Sequence, residues 1–139
     1  GEWGRPDMFY LKYLINNFKD KIINVNNYGN HFRDFTYIGD VTEMLVKMLN
    51  VRVKSNHDVF NICSNNPIPL MKMIRFLDFL SNKKCKIKKT KFVKVDVLKT
   101  HGDNKKILRL INKRRFLKLE EGLKNTFDWF KKYYFKNNH

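Results

Sequence analysis

Two arginines stand where a planar cation could hold an oxyanion. Arg5 lies in Gly4-Arg5-Pro6-Asp7, and Arg33 lies in NHFRDFTYI, residues 30–38. A guanidinium presents five N–H donors in a fixed fork and takes carboxylate or phosphate oxygens in pairs. Each arginine also has a plainer explanation. Arg5 could pair with Asp7 at a helix start, and Arg33 with Asp34 beside it. The second pairing is geometrically poor, because adjacent residues of a strand point to opposite faces. That leaves a fixed cation for an anionic ligand open as the reading of Arg33, and Asp34 reads as an anchor bonded elsewhere.

Other chemistries find little support. His31, His57, His101 and His139 are scattered, with no i, i+4 pair and no cysteine at zinc-site spacing. Cys63 and Cys85 are lone cysteines, read as reduced thiols. No metal is expected. The phosphate-cradling patterns G-x-G-x-x-G and G-x-x-x-x-G-K-[ST] are absent, and no Y-x-x-x-K stands where it suggests catalysis.

The elements that would position these residues form an alternating series. Pro6 and Asp7 suit the first turn of a helix. Met8, Leu11, Ile15 and Phe18 continue it, so residues 6–18 read as helix. KIINV (21–25) reads as a strand, NNYGN as a turn and FTYI (35–38) as the next strand. Asp40 and Glu43 form an Asp version of the capping box, and Val41, Met44, Leu45, Met48 and Leu49 make one apolar stripe.

DVFNICS (58–64) reads as a buried strand and NNPIP as a loop. Leu70, Met73, Ile74, Leu77 and Leu80 define a helix. KCKIKKTKFV (84–93) reads as a lysine-guarded edge strand. Asp103 is placed to cap a short helix through Leu110, and a final helix runs from about Leu119 to Tyr134. The order is helix-strand-strand-helix-strand-helix-strand-helix-helix, an α/β class.

At 139 residues and 42% hydrophobic content the chain suffices for one domain with a core. No apolar run approaches a membrane span, the N-terminus lacks a signal peptide's features, and a cytoplasmic location is expected. The net charge of +16 admits a polyanionic partner, yet the lysines are spread along the chain. No RNA-recognition, KH or zinc-finger motif accompanies them, so no specific nucleic acid is expected. A stand-alone basic module binding a nucleotide or a nucleic acid, without catalysis, stays as the alternative.

GEWGRPDM (1–8) and NVNNYGNHFRDFTYIGDVTEML (24–45) resemble blocks of the extended short-chain dehydrogenase/reductase family of NAD-dependent epimerases and dehydratases, and most closely its UDP-glucuronate 4-epimerases. VFNICSNNPIPLMKMI (59–74), VDVLKTHGDNKKI (95–107) and LEEGLKNTFDWFKKYY (119–134) resemble later blocks in the same order. The resemblance covers residues 1–139 as the C-terminal substrate-binding part of an extended Rossmann-type nucleotide-sugar epimerase. It implies a fragment lacking the N-terminal NAD-binding sheet and inactive alone. The intact protein would use NAD to interconvert UDP-glucuronate and UDP-galacturonate at C4, the hydride leaving to the cofactor and returning to the other face. A homodimer and a UDP-sugar ligand are implied too.

By the same resemblance Arg5 would hold the sugar carboxylate and Arg33 the diphosphate. Asn26 and Tyr28 would lie along the uracil, and Asp96 would accept from a ribose hydroxyl. The chain departs from the family pattern at Glu2, Gly39 and Cys63, and its P-G-D-V has become Lys94-Val95-Asp96-Val97. Without the Rossmann part, apolar surface is expected to be exposed along Val41–Leu49 and Val59–Cys63.

Overall fold

The computed structural model describes residues 1–52, 56–111 and 115–135. His139 and residues 112–114 of the lysine- and arginine-rich run 104–115 lie outside the described residues. The elements are α1 (Phe9–Phe18), β1 (Ile23–Val25), β2 (Phe32–Asp34), α2 (Ile38–Met48), β3 (Pro67–Pro69), α3 (Leu70–Ser81), β4 (Ile87–Lys89), α4 (Lys105–Leu108) and α5 (Leu119–Phe130). A 3-10 turn, Asn26–Gly29, follows β1, and a π turn, Lys131–Phe135, follows α5. The architecture is mixed α/β, in the expected order, but several elements fall on other residues than the pattern suggests. Among the described residues no helix is long and apolar enough to cross a membrane.

The main core lies between α1, β1, α3 and α5. Leu11 and Leu14 of α1, Ile23 and Val25 of β1, Met73, Ile74 and Leu77 of α3, and Phe127 and Phe130 of α5 are all buried in it. Each such side chain contributes about 1.5–3 kcal/mol through removal from water. Asp78 ties three pieces of this core together. It accepts the Tyr13 hydroxyl from α1 and the Cys85 N–H at 2.9 Å from the approach to β4. Asn82, in the left-handed region at φ 49°, ends α3, a conformation that asparagine tolerates better than most residues.

α1 begins at Phe9, not at Pro6. Residues 5–8 form a turn closed by the Met8 N–H on the Arg5 carbonyl at 3.1 Å. Met8 thus leaves the expected stripe, Ile15 and Phe18 pack at the edge of the core, and Tyr13 and Asn17 join the buried face.

Two ladders of two strands replace a continuous sheet. β1 and β4 run parallel, with Ile23 opposite Ile87, so the lysine-rich edge strand is where it was expected. β2 and β3 run antiparallel, with Arg33 opposite Ile68. β3 is the segment read as a loop, because two prolines argue against a strand. The ladder escapes that rule by alternation. The Leu70 N–H donates to the His31 carbonyl at 2.8 Å. The next bonding position is then Arg33–Ile68, and Pro67 and Pro69 fall where no donor is needed.

The expected strand at 35–38 sits earlier, at Phe32–Asp34, and Ile38 already belongs to α2. Phe32 is engaged on its other edge too. Its N–H donates to Leu98 O at 2.9 Å, and its carbonyl accepts from the Thr100 N–H at 3.1 Å.

Asp58–Ser64 pairs with no strand among the described residues, despite its β-forming composition. Its polar groups are bound by side chains instead. Asn104 Nδ2 donates to the Cys63 carbonyl at 2.8 Å, and Lys106 Nζ to the Val59 carbonyl at 3.0 Å.

Tyr37, not Asp40, occupies the N-cap of α2. Asp40 sits in the first turn, buried, and accepts the Leu117 N–H at 2.8 Å, while Glu43 pairs with Lys47. Asn104, not Asp103, occupies the N-cap of α4, which ends at Leu108 and not Leu110; Asp103, just before it, accepts the Lys105 N–H at 2.9 Å. Met44 anchors α2 in a second, smaller core with Ile107 and Ile111. Leu45, Val46 and Leu49 (84% exposed) face outward, as does Val59, so apolar surface is exposed in both stretches where it was expected.

Replacing Asp78 tests the central tie. Asp78→Ala strands the buried Tyr13 hydroxyl and the Cys85 N–H, at a cost of about 1–3 kcal/mol for each donor. Urea unfolding should show the midpoint falling accordingly. A midpoint within about 0.5 kcal/mol of wild type, the range of ordinary surface substitutions, would remove Asp78 from that role.

Candidate functional site

β2 delivers its two charges to opposite sides, as strand alternation requires. On one side the Asp34 carboxylate gathers two loops. It accepts the Ser64 hydroxyl and the N–H groups of Asn65 at 3.1 Å, Asn66 at 3.3 Å and Gly102 at 3.2 Å. Partial burial acts to raise its pKa. The bonds from Ser64, Gly102, Asn66 and Asn65 outweigh that and hold it below the ordinary carboxylate value. Gly102 is required by close approach, since a Cβ there would lie 2.5 Å from Cys63 Sγ.

On the other side Arg33 Nη2 donates to Asp96 Oδ1 at 3.0 Å, and Nη1 donates to the Phe32 carbonyl at 3.0 Å. Asn26 Nδ2 donates to Asp96 Oδ2 at 3.2 Å. Asn26 is itself oriented by the Thr90 hydroxyl, which donates to its Oδ1 at 2.9 Å. His31 Nε2 lies 3.4 Å from Asp96 Oδ2. The Arg33 and Asp96 side chains remain about a quarter exposed, at 25% and 27%, so the pair is open to a ligand. The cluster lines a cleft of about 650 Å³ whose apolar wall includes Phe9, Tyr10, Phe35 and Leu70.

Of the five candidates read from the sequence, Asn26, Arg33 and Asp96 come together here. Arg5 and Tyr28 are not among the residues that line the cleft. Arg5 forks onto Asp7, with bonds of 3.0 and 2.8 Å, on the open surface. Tyr28 is exposed, in the left-handed region at φ 54°, and donates its N–H to Thr90 O at 3.0 Å. Asn27 and Gly29 flank it with positive φ as well. His31 and Thr90 were missed. His31 had a usable signal, because it stands two residues before Arg33 and so on the same strand face. Thr90 carried none. Among the described residues no group of three or more His, Cys, Asp or Glu is placed to hold a metal ion.

No family model matches the chain. Individual proteins do. An uncharacterised protein of Methanocaldococcus jannaschii is 38% identical over 130 residues, covering 94% of this chain and 39% of its own length. The UDP-glucuronate 4-epimerase of Thermodesulfobacterium geofontis is 33% identical over 132 residues, covering 94% and 40%. The crystal structure of UDP-glucuronic acid 4-epimerase from Bacillus cereus, in complex with UDP-glucuronic acid and NAD, superposes with a TM-score of 0.80 at 28% identity, covering 92% of this chain and 41% of that one. The chain thus spans about two fifths of the length of the proteins it matches.

The Asp34 anchor has a pH signature. Its lowered pKa stabilises the fold fully above the ordinary carboxylate value, near 3.9, and that contribution is lost as pH falls through the lower folded value. Asp34→Asn should be less stable at neutral pH and should lose less further stability on acidification below about pH 4. Denaturant midpoints measured against pH check this, and parallel curves for the two proteins would count against it.

Proposed function

From its homology to UDP-glucuronate 4-epimerases and related NAD-dependent epimerases and dehydratases, we propose that this chain is the nucleotide-sugar-binding portion of such an enzyme. The intact protein would interconvert UDP-glucuronate and UDP-galacturonate at C4, acting as a homodimer in the cytoplasm. The observation that carries the proposal is the Arg33–Asp96–Asn26 cluster at the mouth of a partly apolar cleft. Two of the five Arg33 donors hold Asp96 and Phe32 O, and the rest of the fork can take diphosphate oxygens. Because Asp96 fixes the guanidinium beforehand, binding need not order a free side chain. The apolar wall suits the faces of base and sugar.

The uronate carboxylate is assigned to Arg5. Its fork holds Asp7 outside the cleft lining, so a ligand carboxylate would have to take the place of Asp7. The base is assigned to the backbone of Asn26–Tyr28.

NAD does not fit the residues described here. A dinucleotide cradle needs glycines whose bare Cα faces an open loop before a helix. Gly29 abuts Met71, Gly102 abuts Cys63 and Gly122 abuts Tyr37. We therefore assign the redox step to no residue among those described, and the chain alone should not turn over UDP-glucuronate.

The net charge of +16 favours a second reading, a basic module for a polyanion. Isothermal titration of the full chain with UDP and UDP-glucuronate separates the two. Arg33→Ala should weaken both ligands about 10–100-fold, the loss expected for hydrogen bonds to a charged group, and Arg33→Lys should recover part of it. Unchanged affinity in Arg33→Ala would sink the nucleotide-sugar reading. Salt-sensitive RNA binding indifferent to UDP would favour the second.

A further inference from the structure

The cleft's own charges do not favour an anion. Its charged lining residues are Arg33, Asp34 and Asp96, one cation against two carboxylates, and Arg33 is already bonded to Asp96 at 3.0 Å. A nucleotide sugar with a diphosphate and a carboxylate arrives as a polyanion. Its approach answers to the charges around the mouth as well as to those inside, because a field acts well beyond hydrogen-bond reach.

β4 places one such charge. Ile23 and Val25 of β1 are buried in the main core, and Ile87 of β4 packs against it. Side chains alternate along a strand, so the residues next to these turn to the opposite face. That face is the cleft side. Asn24 lines the cleft, and Thr90, just past β4, reaches Asn26 with its hydroxyl at 2.9 Å. Lys88 stands on the same face, directly across the ladder from Asn24, with about 5 Å between the strands.

Lys88 is exposed and forms no ion pair with a described residue. Its neighbours differ. Lys86, on the same face, acts on Asp20, which Lys83 already pairs at 2.9 Å. Lys89 points to the other face. Guarding the edge of β4 explains a lysine anywhere on the strand, and Lys89 serves that end. It does not explain why a lysine on the cleft face has no anionic partner among the described residues.

We infer that Lys88 is an electrostatic guide for the cleft. It draws a polyanionic nucleotide sugar towards Arg33 and acts on association, not as a contact in the bound complex. Arg33 holds the ligand once it has arrived, and Lys88 sets how often it arrives. The carboxylate of a uronate adds to the ligand's charge, so the guide favours a UDP-uronate over a UDP-hexose by rate. The inference rests on the nucleotide-sugar reading of the cleft.

Association and dissociation rates of the full chain, from NMR line-shape titrations with UDP-glucuronate, UDP-glucose and uridine, test it. Ionic strength is raised from about 0.01 to about 1 M, which shortens the screening length from about 30 to about 3 Å. At the low end Lys88→Gln should slow UDP-glucuronate association about fourfold, the effect of one charge in water about 10 Å from the ligand's anionic groups. The slowing should be smaller for UDP-glucose, absent for the uncharged uridine and gone at the high end. Dissociation should change little, as for other charges at the rim of a site. Lys88→Arg should keep the wild-type rate. Lys89→Gln removes the same charge from the other face and should slow association much less.

A wild-type association rate in Lys88→Gln, with UDP-glucuronate still bound, would overturn the guide and leave the nucleotide-sugar reading standing. Equal slowing in Lys89→Gln would do the same, since it marks an effect of net charge alone. So would a loss that persists at high salt, extends to uridine or lies in dissociation, which marks a direct contact or a damaged fold. A wild-type chain that binds none of the three ligands would overturn the nucleotide-sugar reading and the guide together.

Discussion

The arrangement depends on one carboxylate among backbone donors. Asp34 accepts three N–H groups and a hydroxyl from two separate loops, four bonds on one carboxylate. A strand of three residues is too short to fix its own register. β2 gains its position from β3 on one edge, from Phe32's bonds to Leu98 and Thr100 on the other, and from Asp34 pinning the loops that carry both neighbours. With the backbone of β2 fixed, alternation leaves Arg33 only one face to occupy, and that face is the cleft.

The same economy explains the two cores. With two-stranded ladders in place of a broad sheet, neither ladder can bury two faces by itself. α1, α3 and α5 cover β1 and enclose the larger core, while Met44, Ile107 and Ile111 form the smaller one under α2. α2 pays out the least of its apolar stripe: Met44 is buried, whereas Leu45, Val46 and Leu49 remain in solvent. An apolar helix face thus stands in solvent, as does Val59 in the β-forming segment that has no strand partner among the described residues.

Helix positions were legible from periodicity, and α3 and α5 lie close to where their apolar residues put them. The strand positions were not, for a physical reason. Composition reports what a segment prefers when a neighbour is present, but ladder formation depends on whether the neighbour exists. DVFNICS has the preference and lacks the neighbour among the described residues. Pro67-Ile68-Pro69 lacks the preference and has one, in a register that asks nothing of its prolines. At the site, Arg33 was legible because Asp34 was sterically a poor partner for it. Asn26 and Asp96 were legible only through resemblance. Thr90 acts through one hydroxyl on a residue distant in sequence, which no local pattern encodes.

Asp96 shows how a site can outlast its motif. The turn Pro and Gly of the family pattern are replaced by Lys94 and Val95, which removes the residues that would favour a tight turn. The turn forms regardless, with the Asp96 N–H on the Val93 carbonyl at 2.9 Å. The side chain is placed from the other end, by donors on Arg33 and Asn26 that are themselves held by Phe32 O and by Thr90. Polar partners fixed on β2 and on the turn after β1 thus do what turn chemistry does elsewhere. The loop is free to vary in sequence so long as it delivers a carboxylate to Arg33. Conversely, a loss at Arg33 would release the loop as well as remove the cation, so the cation of the cleft also holds its lining together.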